Sequence, residues 1–471
     1  MRGFLVSSVG VTCAAALALP LALSAPAQAR PPAVTSEPAV PGSTQSLPLA
    51  PLGGERALGS GALEQGLTRR DVRPFSLVGI VWDDPAGELR GRVQVRTRAV
   101  GTGHWSGWQD VDTHNHEHAP DPGTAEAASS RVRGSTAPLW VGDSDGVEVR
   151  VQAEADARAT AAGDSLLPRG MRLELVAPGA DAAPAGARPD VRRAGAPLGL
   201  ARGDAQAHAP RAGALSTAYA PESADTTDLE TAASGEVPEL ASNVIPALSQ
   251  LETEAEFLAE RPAGDQRVKP HIGPRPRIVT RKGWGANEKL RERGFVYSKR
   301  VKAAFVHHTA SGNNYRCSQV PSVIRSIYRY HVVSSGWRDI GYNFLVDRCG
   351  NIYEGRAGGV AKAVTGAHTL GFNTDSMGIA VLGSFGKTKP SKSAVTAIAK
   401  LTAWKLGLFG VNPRGKTYLK SGGGNLYKKG KNVRLNVISG HRDGFSTECP
   451  GWQMYTKLGT ARKAAAKYQG R

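Results

Sequence analysis

Two folded domains in an exported chain, an antiparallel β-sandwich followed by a mixed α/β domain, are what the sequence predicts, on three observations. The first is length: 471 residues exceed the roughly 100–200 of a usual single domain. The second is texture, which changes from short runs of alternating apolar and polar residues before residue 178 to interleaved strand and helix patterns after residue 277. The third is charge. The chain carries 59 Lys and Arg against 41 Asp and Glu, a net of +18. Residues 271–471 hold 35 against 8, a net of +27, while residues 1–270 hold 24 against 33, a net of −9. A wholly disordered chain is excluded by 40% hydrophobic residues and eight Trp, which suffice for a core.

Residues 1–29 read as a signal peptide. Arg2 precedes an apolar run from Phe4 to Leu23, broken by Pro20, and Ala27-Gln28-Ala29 has the small-x-small form of a cleavage site. Cys13 lies inside the run and is discarded with it. No other apolar stretch is long enough to span a bilayer, so no transmembrane anchor is expected after signal removal. Residues 30–70 are rich in Pro, Ala, Gly and Ser and read as a flexible lead-in.

The β-sandwich-like domain, of unknown role, is expected over 71–178. Its strands are Ser76–Trp82, Arg92–Val100, Trp105–Val111, Leu139–Gly142, Val147–Gln152 and Met171–Val176, separated by Gly, Asp and Pro. Trp82, Trp105, Trp108 and Trp140 supply core or ligand-facing area. The run His114-Asn115-His116-Glu117-His118 invites a metal reading, but it lies between strands in a polar stretch and reads as a solvated loop. Residues 179–270, rich in Ala, Pro, Gly and acidic residues, are an expected linker with one candidate amphipathic helix within Pro238–Phe257.

The second domain is expected over 271–471. Val301–His308 reads as a buried strand ending in two histidines. Val320, Val323, Ile324, Ile327, Tyr328 and His331 recur at three- and four-residue spacing on one helix face. Asn343–Asp347 and Asn351–Glu354 form a hairpin, and Met377–Gly383 is another strand. Ser391 caps a helix running through Leu406. A strand over Val433–Ile438 leads to His441, and a last helix covers about Gln453 to Lys467.

Three cysteines remain in an oxidising compartment, Cys317, Cys349 and Cys449, and an odd number leaves one outside any internal disulfide. One histidine of the His307-His308 pair, His441 and the Cys449 thiolate form a suitable Zn²⁺ set with a fourth position open. In that case Cys317 and Cys349 can pair. Taken alone, the spacing fits a buried strand-end histidine and a structural free cysteine equally well.

The order of motifs carries more. Residues 277–471 resemble the zinc amidase superfamily that includes peptidoglycan recognition proteins and N-acetylmuramoyl-L-alanine amidases. The matching stretches are Ile278–Ala286 (IVTRKGWGA), Val306–Ala310 (VHHTA), Gly336–Phe344 (GWRDIGYNF), Ile352–Arg356 (IYEGR), Gly366–His368 (GAH) and Gly440–Asp443 (GHRD) with Thr447–Gly451 (TECPG). The resemblance does not reach residues 30–270. It implies a central sheet with flanking helices and Zn²⁺ held by His307, His441 and Cys449. His308, next on the strand, points to the opposite face. Tyr342 matches the family's catalytic tyrosine, and Thr447, where some members have Lys and the recognition-protein amidases have Thr, is the second catalytic candidate. His331, Trp337, Arg356, His368 and Asn373 are the candidates for substrate binding.

The activity implied is hydrolysis of the amide between N-acetylmuramic acid and L-alanine of peptidoglycan. The alternative is a wall-binding recognition protein without catalysis, against which Cys449 argues. Peptidoglycan and anionic wall polymers are the expected partners of a secreted, wall-associated bacterial protein. The basic residues Lys387, Lys389, Lys392, Lys428, Lys429 and Lys431 lie outside the motifs and suit a polyanionic wall. Nucleic acid is not expected, since no helix-turn-helix, zinc-finger or aromatic-basic strand pattern occurs.

Overall fold

Between Phe75 and Trp82 the chain reads FSLVGIVW, an apolar run typical of a strand covered on both faces. The protein is described here by a computed structural model over residues 42–52, 64–154, 167–179, 242–260 and 270–471. The expected signal peptide at 1–29 lies outside the described residues, as do 180–241 of the expected linker.

The first domain consists of β1 (Ser43–Pro48), β2 (Ala50–Pro51), β3 (Glu64–Trp82), β4 (Gly91–Ala99), β5 (Gln109–Val111), β6 (Gly134–Ser135), β7 (Leu139–Ala153) and β8 (Arg172–Ala177). They form one eight-stranded sheet in the order β1-β8-β3-β7-β4-β5, with β2 and β6 added on β3. The pairings are antiparallel, as expected, but the strands are hydrogen-bonded into one continuous sheet rather than two stacked ones. Leu139–Gly142 and Val147–Gln152 are one strand, β7, and β3 begins twelve residues before Ser76. Register shifts along the β3–β7 pair, from Leu67/Arg70 to Phe75/Leu77, let these long strands bend. Leu67, Val78, Ile80, Trp82, Val95, Val149 and Leu173 thereby reach a common core.

The expected lead-in at 30–70 is corrected in part. β1 pairs with β8 from Ser43↔Ala177 to Pro48↔Arg172, covering an edge that would otherwise be open. Nothing in the polar sequence of β1 announces a strand, because its order comes from that partner.

The second domain contains β9 (Val244–Ile245), α1 (Gln250–Ala259), β10 (Ile278–Val279), β11 (Ala303–His308), α2 (Val320–Arg329), β12 (Phe344–Val346), β13 (Ile352–Glu354), β14 (Ser376–Val381), α3 (Lys392–Leu408), β15 (Lys416–Lys420), β16 (Asn432–Asn436), β17 (Ile438–Gly440), α4 (Trp452–Tyr455) and α5 (Leu458–Tyr468). Its main sheet runs β17-β11-β14-β12-β13-β10-β9. β11 is parallel to both β14 and β17, and β12 to β14. Alternate residues serve two layers. Ile379 and Val381 of β14 pack with α3 and α5, whereas Ala380 packs with α2. Ser391 caps α3 by accepting from the Ala394 amide at 3.0 Å. Three expectations change. Residues 242–260 belong to this domain rather than to a linker, since β9 pairs with β10. The Val433–Ile438 strand divides into β16 and β17, and the terminal helix divides into α4 and α5. Cys317 and Cys349 are disulfide-bonded, across 32 residues of sequence. No helix among the described residues is long and apolar enough to cross a membrane.

The two domains share a core. Leu77 and Val81 of β3, Trp140 of β7 and Val176 of β8 pack with Val323, Ile324 and Ile327 of α2 and with Tyr330. Intervening residues of the same strands, Val78, Ile80 and Leu175, point to the first domain's own core. After α2 comes a π-helical turn, Tyr330–Ser334, a widening of the kind that re-aims side chains. Tyr330 is turned onto β3, where its hydroxyl lies 3.2 Å from the Ile80 carbonyl and 3.1 Å from that of Thr136. Ser334 donates to Glu174 at 2.8 Å. A Cβ on Gly79 would lie 2.3 Å from the Tyr330 hydroxyl, so only glycine admits this approach.

Gly79→Ala should therefore cost about 1–3 kcal/mol, read as a lower Tm by calorimetry. Tyr330→Leu should recover part of that loss in the double variant while being destabilising alone. Replacing both Cys317 and Cys349 by Ser should cost about 3–4 kcal/mol in chemical denaturation, from the loop closure lost.

Candidate metal centre

The parallel strands direct their carboxyl ends to one place, the usual position of a site in an open α/β sheet. His307 is the penultimate residue of β11. His441 opens a short 3₁₀ turn, His441–Asp443, directly after β17. Cys449 follows in a loop held from several sides. Its amide donates to Thr447 Oγ1 at 3.1 Å, its carbonyl accepts from Arg442 N at 3.0 Å, and its sulfur lies 3.4 Å from His308 N. The strand alternation sends the His307 and His308 side chains to opposite faces.

A fourth residue completes the cluster, and it comes from the first domain. His118 ends a 3₁₀ turn, His116–His118, in the segment between β5 and β6. Ligand atoms of His118, His307, His441 and Cys449 all lie within 4.8 Å of one another, and all four residues are buried. The Cys449 sulfur is 3.7 Å from His118 Nε2 and 3.8 Å from His307 Nδ1. A tetrahedral ion with Zn–S of about 2.3 Å and Zn–N of about 2.1 Å separates S and N ligand atoms by about 3.6 Å. Both ring nitrogens of His441, and Nδ1 of His118, are buried without a hydrogen-bond partner. Such orphaned atoms are costly unless something binds them.

The electrostatics fit a cation. Burial drives His307 and His441 well below the ordinary histidine range, and His118 to about 3, so all three are neutral with a lone pair to give. Burial pushes the Cys449 thiol well up, so a thiolate there needs a positive charge beside it. Three neutral imidazoles and one thiol at tetrahedral spacing suit Zn²⁺.

His307 is oriented from behind. Its Nε2 lies 3.3 Å from His368 Nδ1 and 3.4 Å from Thr369 Oγ1, the outer support that fixes a ligand's tautomer. Tyr342 is buried, its ring 5.6 Å from that of His307. Burial, with the neighbouring Cys449 and Glu117, pushes its phenol well up, so it remains a hydrogen-bond donor.

The residues expected to bind substrate are placed as follows. His368 and His331, at 0% and 1% exposure, are buried. His331 Nδ1 accepts from the Gly341 amide at 3.2 Å, and its ring lies 4.4 Å from Trp337. His368 lies behind His307, 3.3 Å from its Nε2. Trp337, Arg356 and Asn373 are met by the first domain. Trp337 packs with Val132 and Ala367. Arg356 holds Glu126 through two hydrogen bonds of 2.9 Å. Asn373 Nδ2 donates to Asp121 at 2.7 Å and to the Ala119 carbonyl at 3.1 Å. Thr447 donates to Glu117 at 2.7 Å.

The expected solvated loop at His114–His118 is therefore corrected: Glu117 and His118 are both 4% exposed. Three histidines in five residues were the available signal, and their polar neighbours masked it. Of those neighbours, Glu117 bonds to the second domain and Asn115 to Ser135 of its own.

Comparison with known proteins follows the same division. Residues 27–169 match a family described as Rv3811 N-terminal galactose-binding domain-like, and residues 297–452 match N-acetylmuramoyl-L-alanine amidase. Peptidoglycan-recognition protein SC2 of Drosophila simulans is 30% identical over 185 residues, covering 39% of this chain and 85% of that one. Peptidoglycan-recognition protein 1 of Holotrichia diomphalia is 33% identical over 168 residues, covering 33% and 80%. Among solved structures, peptidoglycan recognition protein-LE in complex with tracheal cytotoxin is 31% identical, with a TM-score of 0.30, covering 39% of this chain and 92% of that one.

One Zn²⁺ should bind per chain. Cys449→Ala should weaken binding beyond the roughly 100-fold that losing an outer-shell partner can cost, measured by competition with a chromophoric chelator.

Proposed function

From a chain that belongs, through its C-terminal domain, to the N-acetylmuramoyl-L-alanine amidase and peptidoglycan-recognition family, we infer a zinc-dependent amidase. Its substrate is the amide joining N-acetylmuramic acid to L-alanine in cell-wall peptidoglycan. The observation that carries this reading is the buried Cys449 thiol, set at metal-ligand spacing from His307 and His441. Binding a wall polymer alone gives no reason for a buried thiol beside His441, neither of whose ring nitrogens meets a hydrogen-bond partner.

Zn²⁺ bound there supplies Lewis acidity toward a carbonyl and lowers the pKa of water at its open position. The chain's own residues supply the rest. His368 and Thr369 hold the His307 ring by its far nitrogen. Tyr342, kept protonated by its surroundings, offers a hydroxyl to the oxygen on which negative charge develops. Thr447 ties the Cys449 amide in place through its hydroxyl and carries a second hydrogen bond toward the site. A threonine hydroxyl is too weak a base to take a proton at neutral pH, so we assign Thr447 to positioning. Arg356, Trp337 and Asn373 are the residues we assign to the stem peptide and glycan.

We place the protein outside the cell, at the wall. The signal-like segment at 1–29, the disulfide and the basic second domain support this. Lys387, Lys389, Lys392, Lys428, Lys429 and Lys431 are all exposed, as attraction to an anionic wall requires.

Purified peptidoglycan incubated with the zinc-loaded protein should release new L-alanine amino termini. Cys449→Ala and chelation should abolish the release, and Zn²⁺ should restore it after chelation only. Tyr342→Phe should lower the rate about 100–1,000-fold, the usual cost of one donor to a developing oxyanion. Undiminished release by Cys449→Ala would remove the zinc mechanism.

A further inference from the structure

The amidase reading needs an open position at the metal and a groove that admits a peptide. In this fold both are filled by the chain itself. His118 brings its Nε2 within 3.7 Å of the Cys449 sulfur, and its ring centroid lies 4.6 Å from that of His441 and 5.3 Å from that of His307. It is not carried in by chance packing, because the segment is bonded to the second domain at several points along its length. The Glu117 carbonyl accepts from Leu370 N at 2.9 Å, and its carboxylate accepts from Thr447. Asp121 accepts from Gly371 N and Asn373 Nδ2, each at 2.7 Å. Glu126 takes both arms of the Arg356 fork and the Arg338 amide, the last at 3.2 Å. Val132 covers Trp337, and Arg133 N donates to the Ser335 carbonyl at 3.1 Å.

Of the residues assigned above to peptide and glycan, Arg356 and Asn373 are therefore met by two carboxylates and one backbone carbonyl of the first domain, and Trp337 is covered by Val132. Their chemistry is that of an acidic peptide. The Arg356–Glu126 pair is almost wholly buried, with side chains 5% and 9% exposed. Removing one partner strands the other charge, so the pair holds the segment firmly only while both are present.

Resting on the amidase reading, we propose that His118 is the fourth ligand of the metal centre, delivered by the first domain. We further propose that the segment from Asp112 to Val132 is a built-in inhibitor lying where the stem peptide lies. The protein as folded is latent. It becomes active when a competing acidic peptide, or an event that loosens the domain contact, withdraws His118 and opens the coordination position.

The test uses the full chain as wild type, His118→Ala, and Glu126→Gln, the last leaving the metal cluster untouched. Co²⁺ replaces Zn²⁺ as the spectroscopic probe, and azide serves as the small exogenous ligand. The wild-type visible spectrum should be that of a closed four-coordinate site and should not change with azide. His118→Ala should give an azide-sensitive spectrum and bind Zn²⁺ more weakly. At saturating Zn²⁺, both variants should release wall peptides at least about tenfold faster than wild type, as expected for a site closed nine-tenths of the time or more. Should His118→Ala unfold, judged by circular dichroism, Glu126→Gln carries the test, through azide sensitivity and rate. Identical azide responses in wild type and variants, with no gain in rate, would overturn the proposal while leaving the amidase reading intact. A His118-dependent spectrum in a protein that cuts no wall in any variant would instead overturn the amidase reading and leave the ligand assignment standing.

Discussion

Everything in this molecule depends on one strand being apolar on both faces. β3 gives Val78 and Ile80 to its own domain and Leu77 and Val81 to its neighbour. Apolar surface removed from water contributes about 25 cal/mol per Å², and here one strand contributes it twice. The joint is directional as well as adhesive. Tyr330 seats on the bare backbone of Gly79, and its hydroxyl reaches the Ile80 and Thr136 carbonyls. The rigid seam sets where the β5–β6 segment arrives, and that segment carries His118.

Charge follows the same arrangement. A basic domain of net +27 stands against an acidic first half of net −9, but the decisive charges are few and local. Glu117, Asp121 and Glu126 are buried against donors of the second domain. Desolvating them costs free energy, visible in Asp121, whose acid is raised to about 6 chiefly by burial. Hydrogen bonds from Gly371 and Asn373 offset part of that cost. The seam holds the segment close, and the polar bonds select its register.

Much of the second domain was legible in the sequence. The helix face of α2, the cap at Ser391 and the strand ending in two histidines are local patterns, and each element forms where its pattern lies. So was the convergence of His307, His441 and Cys449, because ordered motifs carried it. His118 was not legible, although it stands in a run of three histidines. Its role is set by a contact across 331 residues of sequence to Cys449, and no local pattern encodes that. The same blindness applies to β1, a polar segment made into a strand only by its partner β8.

The Tyr330–Ile80 contact spans 250 positions of the chain. During synthesis the first domain is finished long before its partner exists, and the outward face of β3 stands bare in the interval. Contacts of such separation form slowly, and exposed apolar strand surface invites association with other chains. The first domain alone is therefore a sticky intermediate, and its solubility rests on whatever shields Leu77, Val81 and Val176 until α2 arrives. Once the seam closes, each domain keeps a core of its own, but unfolding either would bare the shared layer of the other, so the two should melt as one cooperative unit.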